Sequence, residues 1–499
     1  MTHAPLTITL DTGRIRGMLA ESARVFHGVR YADPPTGKHR WTLPRPAASW
    51  SGIADATRPG PMCPQPGLPG QPAEQTDEDC LFVNITTPLA EPREPLPVMV
   101  WLHGGGFTTG GGYPYDAQRL AEQGNVIVIT VNYRLGVFGY FGYEGLPGSG
   151  NFGLADQIEA LRWVQRNASA FGGDSGNVTV FGQSAGAMSI GALLTSPDAN
   201  GLFHKAILQS GSPMLHWPCG VMFPRSPEHT PYLAVSRVAE TGAQLAQKLD
   251  IGGEDALDKL RAVEASTLVE HTGDFANHVA WGTPLLPQHP ADAIRSGTVH
   301  GVPMISGNTR DEMRPFIAGA HSVTPITDER IPELMANSFR ESAGVVAEMY
   351  AEVRDESALI AWSSITTDTS WAYAAHVEHE LLAPRAPVYA YEFADRTAPN
   401  VNGYEIPELP MGAAHASDLP YLFDLGGEYL LTPKQHELAC AMIDYWTSFA
   451  HTGVPQSDHG PRWPRFDERS HVMGFDECGA HSTDFEETHK IGLWKRIRS

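Results

Sequence analysis

The chain has 499 residues and a formal net charge of −22, with 57 acidic against 35 basic side chains. That acidity argues against nucleic acid and against anionic membrane surfaces as partners, because both need a basic surface. No stretch reaches the roughly 18 apolar residues of a membrane span, and the first residues carry neither the basic nor the apolar region of a secretion signal, so a cytoplasmic protein is expected. The five cysteines, Cys63, Cys80, Cys219, Cys440 and Cys478, show no CxxC or zinc-finger spacing, which points away from metal and dithiol chemistry.

In chain order, the first informative element is the apolar run Val98-Met99-Val100-Trp101-Leu102, which reads as a buried parallel strand. His103-Gly104-Gly105-Gly106-Phe107 follows directly. A loop that brings backbone N–H groups up to a tetrahedral oxyanion needs glycine, since side chains would block the approach. A second strand is expected at Val126–Val131. Leu154, Ile158, Leu161 and Val164 then recur at helical spacing and read as a core face.

The run Val178-Thr179-Val180-Phe181 comes next, followed by Gly182-Gln183-Ser184-Ala185-Gly186 and an alanine-rich segment. This is the strand–turn–helix setting of a G-x-S-x-G nucleophile elbow. The tight turn holds the hydroxyl clear of the backbone, and the flanking glycines have no side chains to obstruct it. The start of the following helix aims the Ala185 N–H at the same point. Strands are expected at Lys205–Leu208 and Val388–Phe393, and a second helical core face at Leu438, Met442, Tyr445 and Phe449. No linker, repeat or low-complexity block divides the chain. One α/β domain over residues 1–499, with long insertions, is the expected organisation: a central, mostly parallel sheet flanked by helices.

From about residue 7 to residue 466 the chain resembles the type-B carboxylesterases, the carboxylesterase, cholinesterase and para-nitrobenzyl esterase family of α/β-hydrolases, and its bacterial members in particular. The resemblance is carried by Gly28–Pro35, by Glu78-Asp79-Cys80-Leu81-Phe82-Val83-Asn84, by Asn132–Gly136 and by Asn151–Gln157. The elbow itself, Ala206–Ser212 and the C-terminal Tyr445-Trp446 and Trp463-Pro464 complete it. In α/β-hydrolases the triad runs Ser, then acid, then His. The resemblance therefore implies Glu312, in Gly307–Glu312, as the acid. It implies His415, in Ala413–Phe423, as the base; composition alone could not have chosen it among the histidines that follow Glu312.

It further implies Gly105, Gly106 and Ala185 as oxyanion donors, Ser210 as support for the acid, and Phe107, Gln183 and Trp217 in the substrate pocket. Cys63 and Cys80 match a family pair that closes a loop near the pocket mouth as a possible disulfide, and Arg40–Glu78 and Arg134–Asp156 match family ion pairs. The implied activity is hydrolysis of a small-molecule carboxylic ester through an acyl-enzyme, without metal or organic cofactor. The same triad also serves amide or carbamate cleavage and acyl transfer. A non-catalytic interaction domain on this fold would generally lack a triad member. Oligomeric state is not legible.

Two departures stand out. The residue before the nucleophile is usually glutamate in the family and here is Gln183. A P-x-x-D-G stretch is replaced by Val279-Ala280-Trp281-Gly282-Thr283. Loss of the carboxylate predicts a preference for neutral, moderately apolar or aryl esters over cationic ones.

Overall fold

A computed structural model describes residues 5–67, 76–221, 226–467 and 469–498. The Pro/Gly-rich stretch 64–72 reads from the sequence as a loop over the pocket entrance; most of it lies outside the described residues.

Eleven strands form the main sheet among the described residues: β1 (Met18–Leu19), β2 (Ala23–Arg30), β3 (Phe82–Pro88), β4 (Leu96–Leu102), β5 (Ile127–Val131), β6 (Gly173–Gln183), β7 (Lys205–Gln209), β8 (Met304–Thr309), β9 (Val388–Phe393), β10 (Val472–Asp476) and β11 (Gly479–Thr483). The spatial order is β11-β10-β9-β8-β7-β6-β4-β5-β3-β2-β1. From β10 across to β5 every neighbouring pair is parallel, and the strands at both edges are antiparallel. This is the α/β-hydrolase architecture expected from the sequence.

The apolar runs read as strands because both faces of the sheet are covered. Alternate residues of β4 go to opposite faces, as the two-residue period of a strand requires. Val98, Val100 and Leu102 enter one core, Met99 and Trp101 the other. The first core takes in helix α1 (Phe152–Asn167) and helix α2 (Ala185–Leu193), through Leu154, Ile158, Leu161 and Ile190. The second is closed by helix α3 (Pro433–Thr452), through Leu438, Met442, Tyr445 and Phe449. Helix α3 starts at a reciprocal Thr432–Gln435 capping box with Pro433 in its first turn, and it stops at Gly453, whose φ is 76°.

The expected ion pairs form. Arg134 Nη2 lies 2.7 Å from Asp156, both buried, and Arg40 Nε lies 2.7 Å from Glu78. Cys63 and Cys80 are buried in the same core, the neighbouring Cys63 thiol and burial push the Cys80 thiol up, and both are free: the bridge considered from the sequence is not formed. The replaced stretch Val279–Trp281 is a short strand paired in parallel with Tyr232–Ala234.

Candidate active site

Strand β6 delivers its last residue, Gln183, to the carboxyl edge of the sheet, and helix α2 begins two residues later at Ala185. Ser184 joins them with φ 56° and ψ −123°, a conformation a non-glycine residue adopts only under strain. The turn can close because Gly186 has no side chain. A Cβ there would lie 1.9 Å from the Leu102 carbonyl oxygen. Residues beside the serine are buried while Ser184 itself is partly exposed.

The Gly104–Gly106 loop leaves the end of β4, the strand next to β6. Gly105 has φ 107°, and a Cβ on it would meet the Thr109 carbonyl oxygen at 2.2 Å. Among the described residues the N–H groups of Gly105, Gly106 and Ala185 have no intramolecular acceptor. They are therefore three backbone donors left without a partner. Asn277 N–H donates to the Gly106 carbonyl at 2.9 Å and fixes the far side of the loop. His103 anchors the near side: buried, its ring stacks on Tyr133 at 4.3 Å and its Nδ1 is 2.8 Å from Gly104 O. Burial pushes its pKa down to about 4. Phe107, expected in the substrate pocket, is wholly buried with its ring 5.0 Å from Tyr140.

Glu312 and His415 lie 103 residues apart in sequence and meet with Glu312 Oε2 2.5 Å from His415 Nδ1. Their loops are zipped by Asp311. Its backbone N–H donates to Ala413 O at 2.9 Å, its Oδ2 accepts the Ala413 N–H at 3.1 Å, and Arg314 pairs with it at 2.8 Å. Asn402 Nδ2 donates to the His415 carbonyl at 2.8 Å. Glu312 is fully buried, and its second oxygen accepts the Thr309 N–H at 2.8 Å. Support for the acid was expected from Ser210. Its hydroxyl instead makes no hydrogen bond among the described residues, and its backbone N–H goes to Gly307 O.

The other imidazole nitrogen, His415 Nε2, is 3.1 Å from Gln183 Nε2. With Nδ1 directed at Glu312, Nε2 of the neutral ring is an acceptor, and the Gln183 amide donates to it. The Ser184 hydroxyl makes no hydrogen bond among the described residues, so the amide holds the place at Nε2 that a serine proton would take.

Three features of the site were not singled out from sequence. Asp418, buried three residues after His415, accepts from Gln209 Nε2 at 2.8 Å; burial above all, with Glu312 nearby, pushes its pKa up to about 6. Phe316 and Trp371 set their rings 5.2 and 4.9 Å from the His415 ring. Trp217, expected here, is one ring further away, edge-on to Trp371 at 5.7 Å. Helical spacing marks such aromatics only as core, and no local pattern distinguishes a core ring from one beside His415. No group of three or more His, Cys, Asp or Glu among the described residues is arranged to hold a metal ion. No helix among them is long and apolar enough to cross a membrane.

The model of the carboxylesterase family matches residues 4–494. The chain is 34% identical to a para-nitrobenzyl esterase of Bacillus subtilis, over 94% of each sequence. It is also 34% identical to a phenmedipham hydrolase of Pseudarthrobacter oxydans, over 93% of this chain and 94% of that one, and 30% identical to the human cocaine esterase, over 98% and 90%. Among solved structures, a thermophilic PNB esterase superposes with a TM-score of 0.80 at 32% identity, covering 98% of this chain and all of that one. A sheet of this order with a serine elbow at its centre, matched along nearly the whole chain, leads to one conclusion: the protein belongs to the carboxylesterase family and is a carboxylic ester hydrolase.

Proposed function

We propose that the whole chain works as one domain that cleaves neutral, moderately apolar or aryl esters through an acyl-enzyme on Ser184. A hydroxyl is a weak nucleophile, and His415 takes its proton as general base. Glu312 holds the Nδ1–H tautomer and stabilises the imidazolium that forms. The N–H groups of Gly105, Gly106 and Ala185 receive the oxyanion, with the start of helix α2 adding its dipole. His415 then protonates the leaving alcohol, and water releases the acid by the same steps in reverse.

The observation that carries this reading is the buried Glu312–His415 contact at 2.5 Å beside a serine held in a strained elbow. Unbonded N–H groups next to that serine support it. The step that differs from a preformed Ser–His pair is the first one: Gln183 gives up His415 Nε2 as the ester seats and the serine proton replaces the amide. Catalytic hydrogen bonds are often completed only in the substrate complex. The neutral-ester preference is supported by the amide itself, which brings no negative charge next to the base.

The test is covalent labelling combined with mutation. An organophosphonate should modify Ser184 stoichiometrically, and Ser184→Ala should abolish turnover of a p-nitrophenyl ester while leaving the circular dichroism unchanged. Full activity in the alanine variant, or labelling at another residue, overturns the assignment.

A further inference from the structure

A second histidine in this molecule is clamped between carboxylates, away from Ser184. His489 is buried just before the last helix, α4 (Ile491–Arg498). Its Nδ1 is 2.5 Å from Asp368 Oδ1, and its Nε2 bonds the carboxylate of Glu392 on β9. Burial alone would lower its pKa, but the two carboxylates outweigh burial and push it up to about 10, so both ring nitrogens carry protons and donate. Asp368 also accepts from Tyr350 Oη at 2.6 Å. His489 is 2% exposed on its side chain and cannot touch a substrate.

What it grips is the informative part. Asp368 opens a π-helical turn, Asp368–Ala372, set between the helices Ala358–Thr367 and Tyr373–Leu382. Such a turn carries one residue more than an α-turn and is frequent at functional sites. The front of this segment meets the active site twice. Thr367 Oγ1 accepts the backbone N–H of Met313, the neighbour of Glu312, at 3.1 Å. Trp371 donates its Nε1–H to Met313 Sδ at 3.2 Å and lays its ring 4.9 Å from that of His415. The back of the segment is held by the C-terminus, through His489 on Asp368 and through Arg498 Nη2, which donates to Thr369 Oγ1 at 2.9 Å. Released, the widened turn can relax to α-helical winding. A register change of one residue rotates every following side chain by about 100°, which would carry Trp371 off the base.

We infer that His489 is a positioning residue: with Arg498 it locks the Asp368–Ala372 turn, and through Trp371 it fixes the placement of His415. The inference rests on the proposed role of His415, and its test separates the two. The enzyme forms compared are wild type, His489→Gln, Tyr350→Phe, Trp371→Ala and the double variant His489→Gln/Trp371→Ala. Hydrolysis of p-nitrophenyl acetate is measured per active site titrated with an organophosphonate, so that an unfolded fraction does not count. His489→Gln should lower kcat at least tenfold with KM within twofold. Tyr350→Phe, which removes one hold on Asp368, should lower kcat two- to fivefold.

If His489 acts through Trp371, the double variant should be no slower than Trp371→Ala alone, within a factor of two. A kcat within twofold of wild type in His489→Gln overturns the inference, as does a change in KM alone or a double variant whose losses multiply. Should His489→Gln fail to fold, Tyr350→Phe and Tyr350→Phe/Trp371→Ala complete the cycle: a two- to fivefold loss of kcat that disappears on the Trp371→Ala background supports the inference, and a loss that multiplies there, or no loss in Tyr350→Phe, overturns it. Activity surviving in Ser184→Ala would fail the earlier proposal instead, and it leaves these comparisons readable.

Discussion

At the scale of single residues, the side chains that do the chemistry are few, and their neighbours set the terms. On the proposed mechanism, His415→Ala should lower kcat by several orders of magnitude, measured on protein whose folding is checked separately. Gln183 is the more discriminating position. An amide can donate to neutral imidazole, while a carboxylate can only accept and so favours imidazolium. Gln183→Glu should therefore move the acid limb of kcat/KM to higher pH and raise kcat/KM for a choline ester relative to its neutral isostere. A pH profile and selectivity identical to wild type would show that the amide carries no such information. The sequence made this residue visible as a departure from a family pattern, but not its bond to His415. That contact depends on how the side chain folds back across the elbow, and no spacing encodes it. Histidines show the same gap. His415 and His489 are alike in composition, both buried and both bonded to acids, and only the fold puts one beside a serine.

At the scale of elements, the strand-ending motifs were legible because their chemistry is local. A glycine loop after one strand and an elbow after its neighbour need no distant contact to be recognised, and both lie where the sequence put them. Gly105 concentrates the requirement. Any side chain there must adopt φ 107° and strike the Thr109 carbonyl. Gly105→Ala should displace an oxyanion donor and cost on the order of 3 kcal/mol in the transition state. The expected result is a kcat down by about a hundredfold with KM little changed, read from steady-state kinetics on neutral esters. The π-helical turn, in contrast, was invisible. Helical periodicity reports an apolar face, and one inserted residue inside a run that is buried on every side leaves no trace in that pattern. The packing of Phe107 and the bonding of Ser210 were not legible for a related reason: a resemblance transfers a position, while the rotamer and its packing belong to this chain.

At the scale of the molecule, buried ionisable groups tie stability to pH. Burial pushes Glu378 up to about 7 from an ordinary carboxyl value of 4.5. A group raised on folding stabilises fully below its unfolded value and loses that contribution as pH rises through its folded value. Glu378 should therefore contribute below pH 4.5 and cease to do so above about 7. The His489 clamp should contribute fully below 6.5 and fade through about 10. Both act in one direction, so thermal stability should decline toward alkaline pH. Glu378→Gln, neutral throughout, should gain on wild type in Tm between pH 5 and pH 8, measured by calorimetry. A gap that stays constant with pH would contradict the burial argument.

The central position of β6 also determines the order in which this molecule comes apart. The strand that leads into Ser184 is hydrogen-bonded on both sides and covered on both faces, so its amides open only when the whole sheet does. The segment from Ile331 to Glu356 consists of short helices with several exposed residues. In native-state hydrogen exchange, the amides of Thr179–Gln183 should be among the slowest in the chain, and those of Ile331–Glu356 should exchange by local opening at lower free energy. The strand that leads into the elbow would then outlast its surroundings under rising denaturant.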